Sequence, residues 1–198
     1  MPPFPEVKFY ISGLWLLFKG DAQGLKRLDM TDRGMMRSFW AFVWCLPAMF
    51  VYWTGMRYAF LSANPEGTKA GLAFYLRLFL IEAINWILPL TLFGILCLLL
   101  KTERKFVSIV VATNWLSVPV SYAYAAMTLL LFLIPFAAGA IALVQLALLI
   151  ATIFAISRFV RQICGPEPLV VATTMLVLLV PGLIVADLLQ SYLGVSPY

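Results

Sequence analysis

Apolar residues run almost without interruption through five stretches of the chain, at residues 38–61, 73–100, 106–134, 136–159 and 169–189. Short clusters of charge, proline or glycine separate them, among them NPEGTKAG and KTERK. Each run meets the about 20 apolar residues that a helix needs to cross a hydrocarbon layer about 30 Å thick. The third and fourth nearly touch, through IPFAAG. Pro135 lacks an amide N–H and its ring clashes with the preceding turn, so a tight helical hairpin is expected there rather than one very long span. The pattern predicts an all-α fold, a polytopic membrane bundle of five transmembrane helices over residues 38–198. No internal repeat and no low-complexity segment interrupts it.

Residues 1–37 differ in kind and read as an N-terminal segment on the cytoplasmic side. Val7, Ile11, Leu14 and Phe18 form a helical stripe, with Tyr10 and Trp15 beside it and Lys8 and Lys19 at its edges. The stripe is too short to span. FKGDAQG follows it with charges and no small-x-small cleavage site, which argues against a signal peptide. An amphipathic interfacial helix is the expectation. The pattern leaves open whether residues 4–19 rest on lipid or pack on the bundle. Further on, Thr31 or Asp32 can cap a short helix through a side-chain oxygen.

Composition removes the soluble alternatives. The chain of 198 residues is 63% hydrophobic and 12% charged, with a mean hydropathy of +0.97. Soluble domains average roughly 45–50% apolar and about 25% charged residues. So large an excess must meet a lipid bilayer. The net charge of +5 is distributed by topology, so no nucleic-acid partner is expected. Lys8, Lys19, Lys26, Arg27, Arg33, Arg37, Lys101, Arg104, Lys105, Arg158 and Arg161 fall on one side of the alternating spans, and only Arg57, Lys69 and Arg77 on the other. The positive-inside rule then places the N-terminus in the cytoplasm and the C-terminus outside, in the periplasm if the membrane is a bacterial inner membrane.

Polar residues inside the spans mark interior faces. Asn114, Ser117, Ser121, Tyr124 and Thr128 recur at steps of three and four on the third span, one face repeating about every 3.5 residues. On the second span Glu82, Asn85 and Pro89 share a face in the same way. Counting 1.5 Å per residue puts Asn85 and Ser121 both roughly 22 Å from the cytoplasmic ends of their spans, with Asn114 roughly 10 Å nearer the cytoplasm. A seam between spans two and three is expected, joined by Asn85 and Ser121 rather than Asn85 and Asn114.

Glu82 is the costliest of these groups, because an unpaired intramembrane carboxylate defaults to a functional role. Arg57, Arg77 and Gln145 are its candidate partners. The residues are compatible with a structural ion pair or a neutral carboxyl bonded to Gln145, with a proton- or cation-binding site, or with a subunit contact. Asp187, near the outer end of span five, is expected to reach water. Small residues Ala147, Ala151 and Ala155 on span four, and Gly182 and Ala186 on span five, allow close helix approach. Pro47, Pro89, Pro119 and Pro181 are expected to kink their helices rather than break them.

No histidine occurs. That removes Ser–His–Asp and Cys–His catalysis, HExxH sites and bis-histidine haem ligation. Cys45, Cys97 and Cys164 are isolated, without CxxC spacing, and read as apolar packing residues. NPEGTKAG lacks phosphate-loop spacing. No catalytic residue, metal site or cofactor is expected, and the chain is not expected to be an enzyme.

The segments DMTDRGMMRSFWA, leading into span one, and ERKFVSIVVATNWLSV, opening span three, resemble the uncharacterised bacterial branch of the Yip family of five-span membrane proteins. The likeness covers residues 20 to 190 and marks Asn114 and Trp115 as characteristic positions. It implies a polytopic scaffold and carries over no catalytic residue.

Two functions follow as expectations. One is a non-enzymatic scaffold or accessory subunit that assembles with other membrane proteins or with itself, with Trp40, Trp44, Trp53 and Trp86 as candidate anchors. The alternative is a small ion- or proton-coupled transporter or channel centred on Glu82. Whichever holds, the charge distribution predicts that alkaline phosphatase fused after the last span is active, and that the same reporter fused in the 101–105 link is inactive. The reverse pattern of activities would refute this orientation.

Overall fold

A computed structural model describes residues 1–196, apart from the side chains of Glu103 and Arg104. Arg104, one of the basic residues that set the expected topology, thus lies outside the described side chains. Seven helices follow in order: α1 (Phe4–Lys19), α2 (Asp32–Ser38), α3 (Trp40–Ala63), α4 (Leu72–Leu99), α5 (Glu103–Leu133), α6 (Ala138–Cys164) and α7 (Pro168–Tyr192). Short 3-10 turns occupy Ala22–Arg27 and Pro135–Ala137, and the described residues contain no strand. Five of the helices are long and apolar enough to cross a membrane. The chain is therefore a multi-pass membrane protein. Pro135 opens the turn between α5 and α6, while Pro47, Pro89, Pro119 and Pro181 lie inside unbroken helices.

Helix α5 is the centre of the bundle. Its 31 residues span roughly 46 Å, well over the hydrocarbon thickness, so one end projects and can be clasped by other elements. It packs chiefly on α3 and α6 and also meets α1, α2 and α4. The expected seam between spans two and three is minor, because the main partner of α4 is α7. Gly182 explains that pairing: the space a Cβ would fill there faces Pro89 Cγ at 3.6 Å and Asn85 Oδ1 at 3.9 Å. Gly55 likewise brings α3 close to Thr128 of α5. Between α3 and α4 the backbones stay apart, and large rings fill the gap. Phe42 meets Phe79 and Trp86, Phe50 stacks on Tyr75, and Phe60 meets Phe74, at centroid distances of 5.1 to 5.8 Å.

The N-terminal helix packs on the bundle. Val7, Tyr10, Leu14 and Leu17 are buried, while Ile11 and Phe18 are half-buried and Trp15 is exposed. The buried stripe is thus rotated toward Tyr10 and Leu17, since those side chains meet α5 and α6. Phe4 contacts Trp44 of α3, Tyr10 lies 4.9 Å from Trp115 of α5, and Phe18 meets Phe154 of α6 edge-on. Gln162 donates to the Leu17 carbonyl at 2.7 Å. The Tyr10 hydroxyl donates to Glu6, and Glu6 pairs with Arg37 of α2 at 2.9 Å. Burial, and then the Glu6 carboxylate, push the Tyr10 phenol up to about 12. The neutral phenol is the form that fits, so this contribution to docking is complete below pH 10 and lost as pH rises through about 12. Thr31 caps α2 by accepting from the Gly34 amide at 3.0 Å.

Helix α1 and the following turn cross at Gly13 and Gly24. A Cβ on Gly24 would collide with the Gly13 carbonyl and lie 2.9 Å from the Leu17 amide nitrogen. Both obstacles are backbone and cannot rotate away. Gly24→Ala is therefore expected to cost about 1–3 kcal/mol, lowering the thermal midpoint in detergent and speeding tryptic cleavage after Lys19 and Lys26. Unchanged melting and cleavage would show that this crossing does not hold α1 down.

Candidate functional site

The polar stripe of α5 divides into two parts with different tasks. Asn114, 2% exposed, is a tie between helices. Its Oδ1 accepts from Trp86 Nε1 of α4 at 3.0 Å, and its Nδ2 donates to Ser38 Oγ of α2 at 2.8 Å. Ser38, fully buried, passes its own proton to the Met35 carbonyl at 2.7 Å. The expected Asn85–Ser121 bond is not formed, because the Ser121 hydroxyl donates to the Ser117 carbonyl of its own helix. Polar spacing along one helix identifies a face, and it was Trp86 that brought α4 to that face. Trp53, 5% exposed, and Trp86, half-buried, both point inward, so neither is a lipid-facing anchor.

Asn114 also borders, with Ser117, Ser121 and Tyr124, a cavity of about 490 Å³ to which all five spanning helices contribute, while Thr128 lies outside it. Glu82 and Asn85 enter it from α4, Ser117, Ser121 and Tyr124 from α5, Tyr52 from α3, Thr152 from α6 and Leu178 from α7. Its size falls in the range of about 300–1,000 Å³ typical of small-molecule sites. Rings between α3 and α4 hold those helices apart, and the small Ala48 beside the cavity leaves room.

Glu82 stands roughly 15 Å from the N-terminal end of α4 and roughly 25 Å from its C-terminal end. None of the expected partners reaches it. Arg57 donates to the Ala70 carbonyl at 2.7 Å and Arg77 to the Leu193 carbonyl at 2.8 Å, both near the N-terminal end of α4. Gln145 does not line the cavity. Among the described residues the ion pair formed is Arg37–Glu6, at the N-terminal helices. The Trp53 indole faces Glu82, but its Nε1–H is buried outside hydrogen-bonding geometry. Asn85 Oδ1 is also buried without a partner. Asp187 is exposed.

The serine and threonine hydroxyls around the cavity have already placed their protons. Thr113 donates to the Ile109 carbonyl at 2.8 Å, Ser117 to Thr113 at 3.1 Å and Thr152 to Leu148 at 2.8 Å, as Ser121 does to Ser117. Their remaining lone pairs are acceptors. Thr113 and Thr152 join the site without having been singled out from the sequence, although each is a lone hydroxyl in an apolar run. Ser38 was hidden by its place at a span boundary. No group of three or more histidine, cysteine, aspartate or glutamate residues among the described residues can hold a metal.

No family model, characterised protein or solved structure shows significant similarity to this chain.

The two parts of the stripe should separate by mutation. Interhelical hydrogen bonds in membranes average about 0.6 kcal/mol and reach about 1.7. Asn114→Ala removes two and leaves the Trp86 N–H without its acceptor, while Ser38 keeps its bond to the Met35 carbonyl, for an expected loss of about 1–2 kcal/mol. Ser121→Ala removes only a bond within one helix and is expected to change stability by less than about 0.5 kcal/mol. Reversible unfolding in mixed micelles measures both, and equal losses would contradict this division.

Proposed function

We propose that this chain is a non-enzymatic carrier or channel of an inner membrane that holds a small solute among its five spans, with Glu82 as the group that recognises it. One observation carries this reading: a deep carboxyl lines a cavity of ligand size and has no cationic partner. A carboxylate at such depth costs several kcal/mol when left unpaired. A merely structural glutamate would be expected beside a guanidinium or ammonium group, and both available arginines bond elsewhere.

The proposed orientation has the N-terminus in the cytoplasm and the C-terminus in the periplasm. Its support is the gathering of basic residues at one end of the bundle. There Lys105 donates to the Cys164 carbonyl at 3.0 Å and Arg158 to the Lys19 carbonyl at 3.5 Å. A second reading keeps the Yip-like scaffold, or an accessory role with other membrane subunits or a second copy. It is favoured by the outward aromatic face of α1, where Phe4, Phe9 and Trp15 are each more than half exposed.

Water access to position 82 separates the two. A Glu82→Cys variant made in a Cys164→Ser background is expected to react with a membrane-impermeant, positively charged thiosulfonate added to intact cells or inverted vesicles. Leu80→Cys, on the exposed side of α4 and away from the cavity, is expected to stay unreacted. Failure of position 82 to react from either side would remove the solute pathway and leave the scaffold.

A further inference from the structure

The chemistry of the cavity wall restricts what it can hold, given the proposed solute-binding role on which this inference rests. Glu82 is the acidic residue of the lining, and no lysine or arginine among the described residues shares it. Thr113, Ser117, Ser121 and Thr152 direct their protons into their own helices and present oxygen lone pairs. Asn85 adds a buried carbonyl oxygen with no partner. The Trp86 N–H is already engaged by Asn114. The wall therefore lacks a positive charge to set against its carboxyl.

A bare divalent ion does not answer that deficit, because one carboxylate without neighbouring acidic or sulfur ligands is a poor cage and the space is far larger than an ion. An organic ammonium does. Its N–H groups can reach Glu82 and the adjacent acceptors, and the rings of Trp86 and Tyr124 offer π-faces to its charge. Its apolar part also has a place. A second, almost wholly apolar crevice of about 230 Å³ lies between α1, α5 and α6. It shares Leu116, Val120 and Thr152 with the first cavity, so a single layer of side chains divides them. Trp15 and Phe18 of α1 form its far wall.

We propose that the cavity is a binding site for an amphiphilic organic cation, a protonated amine whose nitrogen is held by Glu82 and Asn85 and whose apolar portion points toward the crevice beneath α1. Leu116, Val120 and Thr152 are the side chains that separate the carboxyl's cavity from this crevice.

Binding of three isosteric probes to the full chain in nanodiscs tests this. Phenylbutylamine, phenylbutanol and phenylbutyrate differ in charge and share an apolar portion, and equilibrium dialysis reads their occupancy. Saturable binding of the amine is expected, more than about tenfold tighter than the alcohol, with no binding of the carboxylate. Glu82→Gln should abolish that preference by bringing the amine's affinity down to that of the alcohol, and Glu82→Asp should retain part of it. The aspartate variant keeps the test decisive should the glutamine variant fold poorly. Equal affinity for amine and alcohol, or an amine preference that survives Glu82→Gln, would overturn the cationic class while the solute-binding role stands. Saturable binding of none of the three would overturn both.

Discussion

Inside a bilayer there is no water to satisfy a polar side chain, so each one must find its partner within the protein or carry a cost. Three solutions to that constraint appear in this bundle. The hydroxyls of Thr113, Ser117, Ser121 and Thr152 bond to carbonyls of their own helices and need no neighbour. Asn114 is satisfied across helices by Trp86 and Ser38, and that junction fixes α2, α4 and α5 relative to one another. Glu82 and Asn85 adopt neither solution. They face a space large enough for another molecule, which is why the structural and functional halves of the stripe lie on one helix surface.

Helix α5 bears most of this arrangement because it is longer than the membrane requires. Near its N-terminal end it is surrounded on all sides: Val111 and Ala112 belong to the core shared with α1 and α3, and Ile109 and Val110 to the core shared with α4, α6 and α7. A lipid-exposed helix would bury only one stripe. Between α3 and α4, rings substitute for backbone contact. Flat side chains make a thick, stiff spacer, and Trp86 among them also lines the cavity.

Much of the fold was legible because span length is dictated by bilayer thickness. The helices α3 to α7 begin and end within a few residues of the apolar runs, and Pro135 marks the hairpin as its chemistry requires. The stripe from Asn114 to Thr128 was legible as an interior face. Which helix would meet it was not, since periodicity reports direction around one axis and says nothing about the neighbour. Gly182 was legible as a place of close helix approach, but its spacing does not say that Pro89 and Asn85 of α4 would be what approaches it. Arg57 and Arg77 were plausible partners by depth alone. Their preference for carbonyls left open by the 64–71 loop and by the C-terminal end of α7 depends on how those segments fold back.

The pairing of α4 with α7 has a consequence for how the protein is made. Roughly 90 residues of chain separate Pro89 from Gly182, and a ribosome adding about 5–20 residues per second needs on the order of ten seconds to supply them. Throughout that interval α4 has left the ribosome without its principal neighbour, and Glu82 and Asn85 have no enclosed space to face. Helix α7, made after the other four spans, is the one that completes their surroundings. The newborn protein thus passes through a stage in which its least lipid-tolerant residues are its least sheltered, and insertion machinery that retains α4 until α7 arrives would protect it there.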